Sequence, residues 1–348
     1  MKAVYFDSHG GIDVLRYGDL PDPTPGPGEV IVKIEAASLN FNDLWARQGM
    51  PGMSVPLPHV SGSEGAGRIV EVGQGVTRVK VDDEVVIHAV ESCRVCPVCL
   101  SGEEVFCRQM KIWGFQTGPY LGAYCQYARV QAAQCLPKPK RLNWIEAASV
   151  TNSLMSVWRM LVTRGRTMPG EHVLIFGASG GTGSFAVQLV KALGGVAIAV
   201  TSSEVKEIFC RELGADHIIR TDRQDVVVEV KRITERRGVD VVFDHAGKHT
   251  WQQGIASLSW GGRLVIFGAT EGFDAELDLR HLWNKQLSLL GSHAGTNREA
   301  VASLKLVEQG LIRPFITEVI ALKDLPQAQV RMASRQTMGK IAVDMSTL

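Results

Sequence analysis

The sequence predicts an α/β protein in which a doubly wound parallel sheet is joined to a β-rich domain. From about residue 149 to 293, short apolar runs alternate with helical segments, and this order is typical of parallel sheets. Residues 1 to about 145 instead contain short strand-like runs closely spaced by Gly and Pro, as in partly barrel-like β domains. A chain of 348 residues is also longer than one core usually supports, so we expect two domains.

The β-rich domain is predicted to comprise residues 1–148 and 294–348. Glycines and prolines precede the strand-like residues 30–34 and 68–72, and residues 85–87 follow two aspartates. Residues 316–345 again have a strand-like sequence pattern, so we expect this tail to pack on the first domain.

The parallel sheet is predicted within residues 149–293. Residues 173–176 are continuously apolar, as a strand covered on both faces requires. Residues 184–193 have helical spacing and end in two glycines. The further strands of this domain are expected at 196–200, 218–219, 239–243 and 264–267, with a helix ending near Gly214.

Composition excludes several classes of protein. The formal net charge is +1 and no basic stripe is present, so nucleic acid is not an expected partner. No run approaches the roughly 20 apolar residues that a membrane span needs, and residues 1–7 do not resemble a signal peptide. We therefore expect a cytoplasmic protein with a small-molecule substrate, whose cysteines bind metal rather than form disulfides.

A glycine-rich turn follows the strand at 173–176 and precedes a helix. Small residues let the backbone approach a pyrophosphate, and the helix N-terminus offers it unpaired N–H groups. Ala occupies the first glycine position of this pattern, and a glycine-rich connection without a ligand is the alternative. The residues predicted to bind the pyrophosphate are Ala178, Ser179, Gly180, Gly181, Thr182 and Gly183.

The residues after the second strand favour NADP(H). An NAD site usually has Asp or Glu there, whereas this chain has Thr201, Ser202 and Ser203. Lys206 and Arg220 follow and would attract a 2′-phosphate. In the alternative, both cations are solvated and Glu204 binds the ribose.

Four of the seven cysteines form a closely spaced lobe at about residues 91–110. Their spacing suits a closed tetrahedral zinc site, which leaves no coordination position for a substrate and is therefore structural. Disulfides or free thiols are the alternatives. The predicted ligands are Cys93, Cys96, Cys99 and Cys107, whereas Cys125, Cys135 and Cys210 are isolated and expected to be packing residues.

These features together resemble the medium-chain dehydrogenase/reductase family, which includes zinc alcohol dehydrogenases and zinc-free quinone and enone reductases. The resemblance covers nearly the whole chain. Besides the cysteine lobe, it rests on the segments 62–67 (GSEGAG), 122–127 (GAYCQY), 244–247 (DHAG) and 261–268 (GGRLVIFG).

The resemblance implies a Rossmann dinucleotide-binding domain, a GroES-like catalytic domain and a homodimer or homotetramer. It extends the expected cofactor site to Ala246, Gly247, Phe267, Gly268, Ala269, Ser292, His293 and Arg335.

The chain departs from the zinc alcohol dehydrogenases at the expected catalytic-zinc ligands. These positions correspond to Asn40, Ser63 and Thr151, and their oxygens are poor zinc ligands. Glu64 alone does not make a site, so we expect one structural zinc per chain and no catalytic metal.

The candidate catalytic residues are Asn40, Asn42, Asp43 and Ser63. Their alternative role is to cap a strand-to-helix turn. Without a Lewis acid, such hydrogen-bond donors suit substrates whose anion is delocalised. We therefore expect NADP(H)-dependent hydride transfer to an activated carbonyl, quinone or enone. The alternatives are a zinc alcohol dehydrogenase with other ligands and a non-enzymatic NADPH-binding protein.

Overall fold

The computed structural model describes residues 1–347 and divides the chain into two compact units. The first unit comprises Met1–Asn152, Ala294–Glu308 and the segment from Ile316 onward; the second comprises Ser153–His293 and Gln309–Phe315. The predicted fold class, a doubly wound parallel sheet plus a β-rich domain, is confirmed. Residues 309–315 group with the second unit, whereas the predicted domains place them in the first; those domain boundaries stay a prediction.

The second unit contains a six-stranded parallel sheet in the order β12-β11-β10-β13-β14-β15. The strands are β10 (His172–Ile175), β11 (Val196–Thr201), β12 (His217–Arg220), β13 (Val239–Asp244), β14 (Leu258–Ile266) and β15 (Ser288–Gly291). The order reverses between β10 and β13, so helices leave these two strands to opposite faces and a crevice opens at their carboxyl ends.

Helices cover this sheet because each presents an apolar stripe to the strands. The helices are α5 (Gly181–Ala192), α6 (Glu204–Glu212), α7 (Val226–Ile233), α8 (Lys248–Ser257) and α9 (Leu279–Asn284), after α4 (Thr151–Trp158) and a π-helical segment at Arg159–Arg164. The central strands are apolar on both faces, and Leu174, Ile198 and Val242 are fully buried in one core with the helix residues Val230 and Ile255.

The first unit is built on a seven-stranded sheet ordered β16-β17-β3-β4-β5-β9, with β8 also paired to β3. Its strands are β3 (Glu29–Ser38), β4 (Gly65–Val72), β5 (Glu84–Ile87), β8 (Tyr127–Gln131), β9 (Cys135–Pro137), β16 (Ile316–Ala321) and β17 (Lys340–Asp344); two hairpins add β1 (Lys2–Tyr5) with β2 (Arg16–Asp19) and β6 (Val90–Glu91) with β7 (Lys111–Ile112). Alternate residues of β3, such as Val30, Val32 and Ile34, point into the core.

The helices of the first unit are α1 (Phe41–Gln48), α2 (Pro97–Leu100), α3 (Trp144–Ala147), α10 (Asn297–Glu308) and α11 (Leu325–Ala333). The predicted strand-like tail therefore contains a helix between β16 and β17. Leu325, Ala328 and Gln329 recur at helical spacing and are buried, and Pro326 stands in the first turn, where its missing N–H costs nothing.

Among residues 1–347, none of the helices is both long enough and apolar enough to cross a membrane.

Candidate active site

The glycine-rich turn lies at the carboxyl end of β10, beside the point where the strand order reverses. Its left-handed backbone conformation falls on Gly177 (φ 62°), so Ala178 occupies the next position without strain. A Cβ on Gly183 would lie 2.2 Å from the carbonyl oxygen of Gly177, so this glycine lets α5 pack against the turn. Gly180 is the N-cap of α5, and a Cβ there would be 3.4 Å from the nearest protein atom.

The space beside Gly180 is the observation that supports a ligand at this turn. The fold itself has room for a larger residue, and the backbone at Gly180 is extended (φ −80°, ψ 175°), which any residue adopts. Glycine is therefore required there only if something outside the protein approaches the backbone. Gly181, Thr182 and Gly183 form the first turn of α5, whose N–H groups and positive dipole end suit a pyrophosphate.

Asp244 organises the neighbouring loop at the end of β13. Its carboxylate accepts hydrogen bonds from the backbone N–H groups of Ala246 (2.8 Å) and Gly247 (3.3 Å) and from the Thr250 hydroxyl (2.8 Å). The His245 ring packs directly against the α-carbon of Gly177, so this loop and the glycine-rich turn are in contact.

The residues after β11 are arranged as a helix start. Thr201 is buried and its hydroxyl lies 3.4 Å from that of Ser179. Ser202 is exposed, and the Ser203 side chain caps α6 by accepting the backbone N–H of Lys206. Hydroxyls and one ammonium thus follow the strand that, in an NAD site, usually ends in a carboxylate.

Carboxylates surround the guanidinium of Arg220, one of the predicted cofactor residues. Asp222 is 2.6 Å away, Glu207 3.4 Å and Glu204 4.0 Å. The Asp222 hydrogen bond and charge raise the pKa of Arg220 further above its usual value. Its positive charge is therefore already balanced, and a 2′-phosphate would have to compete for it.

The remaining predicted cofactor residues lie on loops. Phe267, Gly268 and Ala269 follow β14, Ser292 and His293 follow β15, and Arg335 is exposed after α11 in the first unit. Phe267 is held by its backbone N–H, which donates to the carbonyl of Asp244.

The four cysteines of the lobe converge on one point. All four Sγ atoms lie within 4.8 Å of one another; Cys93 is 3.8 Å from Cys99 and 3.6 Å from Cys107. A tetrahedral zinc with Zn–S bonds of about 2.3 Å requires Sγ separations of about 3.8 Å, whereas a disulfide requires about 2 Å. The cluster therefore fits a tetrahedral metal and not disulfides.

Local backbone geometry brings the four cysteines together and acts on the pKa values of their thiols. Arg94 adopts a left-handed conformation (φ 60°), which turns the chain between Cys93 and Cys96, and α2 brings Cys99 back. Backbone N–H groups of Val95 and Cys96 lower the pKa of Cys93 to about 6, which favours a ligating thiolate there. The Cys99 backbone acts in the same direction on Cys96, but desolvation and the neighbouring thiols raise the pKa of Cys96 to about 11. By contrast, burial raises the pKa of each of the isolated thiols, Cys125, Cys135 and Cys210, to about 12.

Asn40 and Asp43 together hold the start of α1. Asn40 is the N-cap, and its backbone N–H donates to the Asp43 carboxylate (2.8 Å), which also accepts the Tyr124 hydroxyl (2.5 Å). Asp43 is fully buried, and burial raises its pKa to about 6 although both hydrogen bonds favour the ionised form. The capping role that the sequence left as an alternative is thus present for these two residues.

Ser63 receives two amide hydrogen bonds. The Nδ2 groups of Asn42 (3.0 Å) and Asn152 (3.1 Å) donate to its Oγ, and the Ser63 hydroxyl lies 3.4 Å from Asn42 Oδ1. Ser63 is completely buried, whereas Asn42 is half-buried. Because Ser63 uses only one of the two N–H bonds of Nδ2, the Asn42 amide keeps a second N–H for another acceptor.

A buried ion pair completes the network. The Lys340 ammonium donates to Glu64 Oε2 (2.8 Å), Asn40 Oδ1 (2.9 Å) and the carbonyl of Leu39 (3.0 Å), and its side chain is only 2% exposed. The Asn40 amide in turn donates to Glu64 (3.1 Å) and the carbonyl of Ser38 (3.4 Å). The second Glu64 oxygen accepts the backbone N–H of Asn152 (2.7 Å).

Sequence reasoning placed Asn40, Asn42, Asp43 and Ser63 together but missed Lys340, Asn152 and Tyr124. Tyr124 stands in a segment noted for its family resemblance, which was its only signal. Lys340 lies 276 residues from Glu64, and no local pattern marks such a partner.

Comparisons with known proteins identify the family of this chain. Residues 26–140 match the family model described as an alcohol dehydrogenase GroES-like domain, and residues 181–309 match the one described as a zinc-binding dehydrogenase. The crotonyl-CoA carboxylase/reductase of Cereibacter sphaeroides is 33% identical over 98% of this chain and 86% of that protein. This chain belongs to the medium-chain zinc-type dehydrogenase family.

Solved structures of the family superpose over nearly the whole chain. A structure described as an NAD-dependent alcohol dehydrogenase gives a TM-score of 0.94 at 36% identity, covering 99% of this chain and 100% of that one. A crotonyl-CoA carboxylase/reductase, AntE, in complex with NADP gives 0.91 at 31% identity, covering 99% and 94%. Membership makes this protein a medium-chain dehydrogenase/reductase enzyme, which removes the non-enzymatic alternative.

Proposed function

We propose that this enzyme uses NADPH to reduce an alkene conjugated to a carbonyl, or a quinone, without a catalytic metal. The observation that carries the proposal is the half-buried amide of Asn42, which Ser63 orients and which keeps one N–H for a substrate oxygen. Asn40 serves a different role, because its amide already donates to Glu64 and Ser38 and accepts from Lys340.

The chemistry follows from what a single donor can stabilise. A dinucleotide bound at the glycine-rich turn would supply a hydride for the β-carbon of the conjugated system. The negative charge then moves to the carbonyl oxygen, where the Asn42 N–H stabilises the enolate. A simple ketone would instead become a localised alkoxide, which usually needs a Lewis acid. The enolate carbon would finally take a proton from solvent water, which leaves the saturated carbonyl compound and hydroxide.

His59 fits poorly as the source of that proton. Burial lowers its pKa to about 4, and its Nε2 lies 3.3 Å from the carbonyl of Gly114. The imidazole is neutral near pH 7 and packed against Phe6, so its role is structural.

Relatives support the substrate class without deciding it. The crotonyl-CoA carboxylase/reductases carry an unsaturated thioester in their name, and a thioester carbonyl delocalises an enolate as a ketone does. A second candidate is a zinc-dependent alcohol dehydrogenase, favoured by the relative at 36% identity. Against it, Asn40 and Ser63 stand at two expected ligand positions and have their polar atoms engaged with protein groups.

NADPH is favoured over NADH by the hydroxyls of Thr201, Ser202 and Ser203 and the ammonium of Lys206. Arg220 contributes less than the sequence suggested, because Asp222 and Glu207 already pair with it. Comparing the dissociation constants of NADPH and NADH at one ionic strength tests this point. A preference for NADH would overturn it.

Zinc is proposed for the cysteine lobe alone, where it would hold the loop between β6 and β7. The test of the whole proposal combines metal quantitation with NADPH oxidation by enones, enoyl thioesters, quinones and simple ketones on one preparation. We expect one zinc per chain and turnover of the conjugated substrates. Two tightly held zincs, or faster turnover of simple alcohols and ketones, would favour the alcohol dehydrogenase.

Family resemblance also supports a homodimer or homotetramer in the cytoplasm. Sedimentation equilibrium of the purified enzyme would test the assembly, and a monomer at micromolar concentration would refute it.

A further inference from the structure

Among the hydrogen bonds described for residues 1–347, Lys340 is the one cation in the network of Asn40, Asn42, Ser63, Glu64 and Asn152, and its donors face protein acceptors. All three N–H bonds of its ammonium have protein acceptors within 3.0 Å, on Leu39, Asn40 and Glu64. A buried lysine that served packing alone would be a costly choice, because desolvating an ion pair consumes most of its Coulomb energy. Its placement calls for another explanation.

The partners of Lys340 lead directly to the proposed substrate donor. Glu64 is next to Ser63 in the chain, so the contacts that fix the Glu64 side chain also anchor the segment that carries Ser63. The other Glu64 oxygen accepts the backbone N–H of Asn152 (2.7 Å), and the Asn152 amide donates to Ser63 Oγ (3.1 Å). Ser63 then orients the Asn42 amide at 3.0 Å. Two routes therefore connect the ammonium to the same hydroxyl.

We propose that Lys340 is a positioning residue of the reduction site, which holds the Glu64 carboxylate in place so that Asn152 and Ser63 hold the Asn42 amide. The proposal rests on the proposed function in its effect on turnover. Its electrostatic part, the pairing of Glu64, does not depend on any substrate.

The test uses Lys340→Met, which keeps the length of the side chain and removes its charge. Glu64 then becomes a buried carboxylate without a counter-ion, so it takes up a proton at low pH and disturbs the site when it ionises. We expect kcat to fall about 10- to 100-fold at pH 8, with little change in KM, and to recover as the pH is lowered. The thermal midpoint should show the same pH dependence without substrate.

Three further variants separate positioning from general destabilisation. Lys33→Met removes a lysine from an exposed pair with Glu35 in the same sheet and should leave kcat and its pH profile unchanged. Lys340→Arg keeps the charge and should restore the wild-type pH profile. Lys340→Met combined with Glu64→Gln removes both charges; it should fold and return to the pH dependence of wild type.

Asp43 and Tyr124 are the other titratable groups that face this network, so the double variant also identifies the responsible group. If the additional pH dependence caused by Lys340→Met persists in the variant without Glu64, it belongs to Asp43 and the proposal is overturned. A Lys340→Met enzyme with the kcat and pH profile of Lys33→Met would overturn it as well. If wild type reduces no conjugated substrate, the proposed function fails, while the thermal measurements still decide the pairing of Glu64.

Discussion

Two single substitutions in the glycine-rich turn, Gly183→Ala and Gly180→Ala, should show which glycine is required for packing and which for binding the cofactor. A Cβ at Gly183 would lie 2.2 Å from the carbonyl oxygen of Gly177 and 2.7 Å from the Cα of Ala178. The first distance is 1.2 Å short of the 3.4 Å at which contact becomes ordinary, and both neighbours are backbone atoms that cannot rotate away. At Gly180 the nearest atom is already at 3.4 Å.

Gly183→Ala should therefore destabilise the enzyme even without cofactor. Overpacking of this kind costs about 2–3 kcal/mol, because α5 must move away from the turn. For a domain of this size, that corresponds to a drop of roughly 4–12 °C in the thermal midpoint. Circular dichroism melting of the apoenzyme measures it.

Gly180→Ala is the matched variant and should melt close to wild type. Its methyl group instead meets the pyrophosphate, so the dissociation constant of NADPH should rise at least about 10-fold, or 1.4 kcal/mol. Fluorescence titration of NADPH measures this. Unchanged NADPH affinity in Gly180→Ala would show that no ligand approaches this backbone, and an unchanged midpoint in Gly183→Ala would refute the packing argument.

The other predictions concern the donor, the cofactor phosphate and Asp43. Asn42→Ala should lower kcat for conjugated substrates about 10²- to 10³-fold, which is the usual effect of removing one such donor. The control is Gln48→Ala at the exposed end of the same helix, which should leave kcat unchanged. Equal effects of the two substitutions on kcat would show that Asn42 is not the donor. Lys206→Ala should weaken NADPH binding about 10-fold, or 1.4 kcal/mol, without changing that of NADH, and Arg211→Ala later in α6 is its control. If both dinucleotides weaken equally, Lys206 does not contact a 2′-phosphate. Burial raises the pKa of Asp43 from 3.8 to about 6, so its contribution to stability is present below pH 3.8 and is lost as the pH rises through 6. Relative to Asp43→Asn, wild type should therefore lose about 2 kcal/mol of unfolding free energy between pH 4 and 7, which urea denaturation measures. A pH-independent difference would contradict the raised pKa.

Local signals in the sequence were sufficient for much of this protein. Continuous apolar runs such as residues 173–176 mark strands that are buried on both faces, and the glycine-rich turn has a fixed place between strand and helix. The cysteine spacing worked for the same reason, because its four ligands lie within 15 residues. Each of these features is determined by neighbours in the chain.

Features that depend on tertiary contacts were not predictable in this way. The segment predicted to be strand-like also contains helix α11, whose buried residues Leu325, Ala328 and Gln329 include a polar one and so give only a weak apolar pattern. Lys340 acquires its partners only when β17 pairs with β3, about 300 residues earlier in the chain. The ion pair between Arg220 and Asp222 is a local contact instead. Asp222 is only two residues from Arg220, so the sequence does contain the carboxylate that competes with a phosphate for the guanidinium.

The order of strands in the first sheet has a consequence during synthesis on the ribosome. Strand β3 leads into the donor-bearing helix α1, yet its neighbour β17 and the ammonium of Lys340 are translated some 300 residues later. Until then the nascent chain holds an acidic side chain at Glu64 without its basic counterpart. The hydrogen-bond network around Glu64 should therefore form only after β17 has been synthesised, long after the strands around Glu64 have emerged from the ribosome.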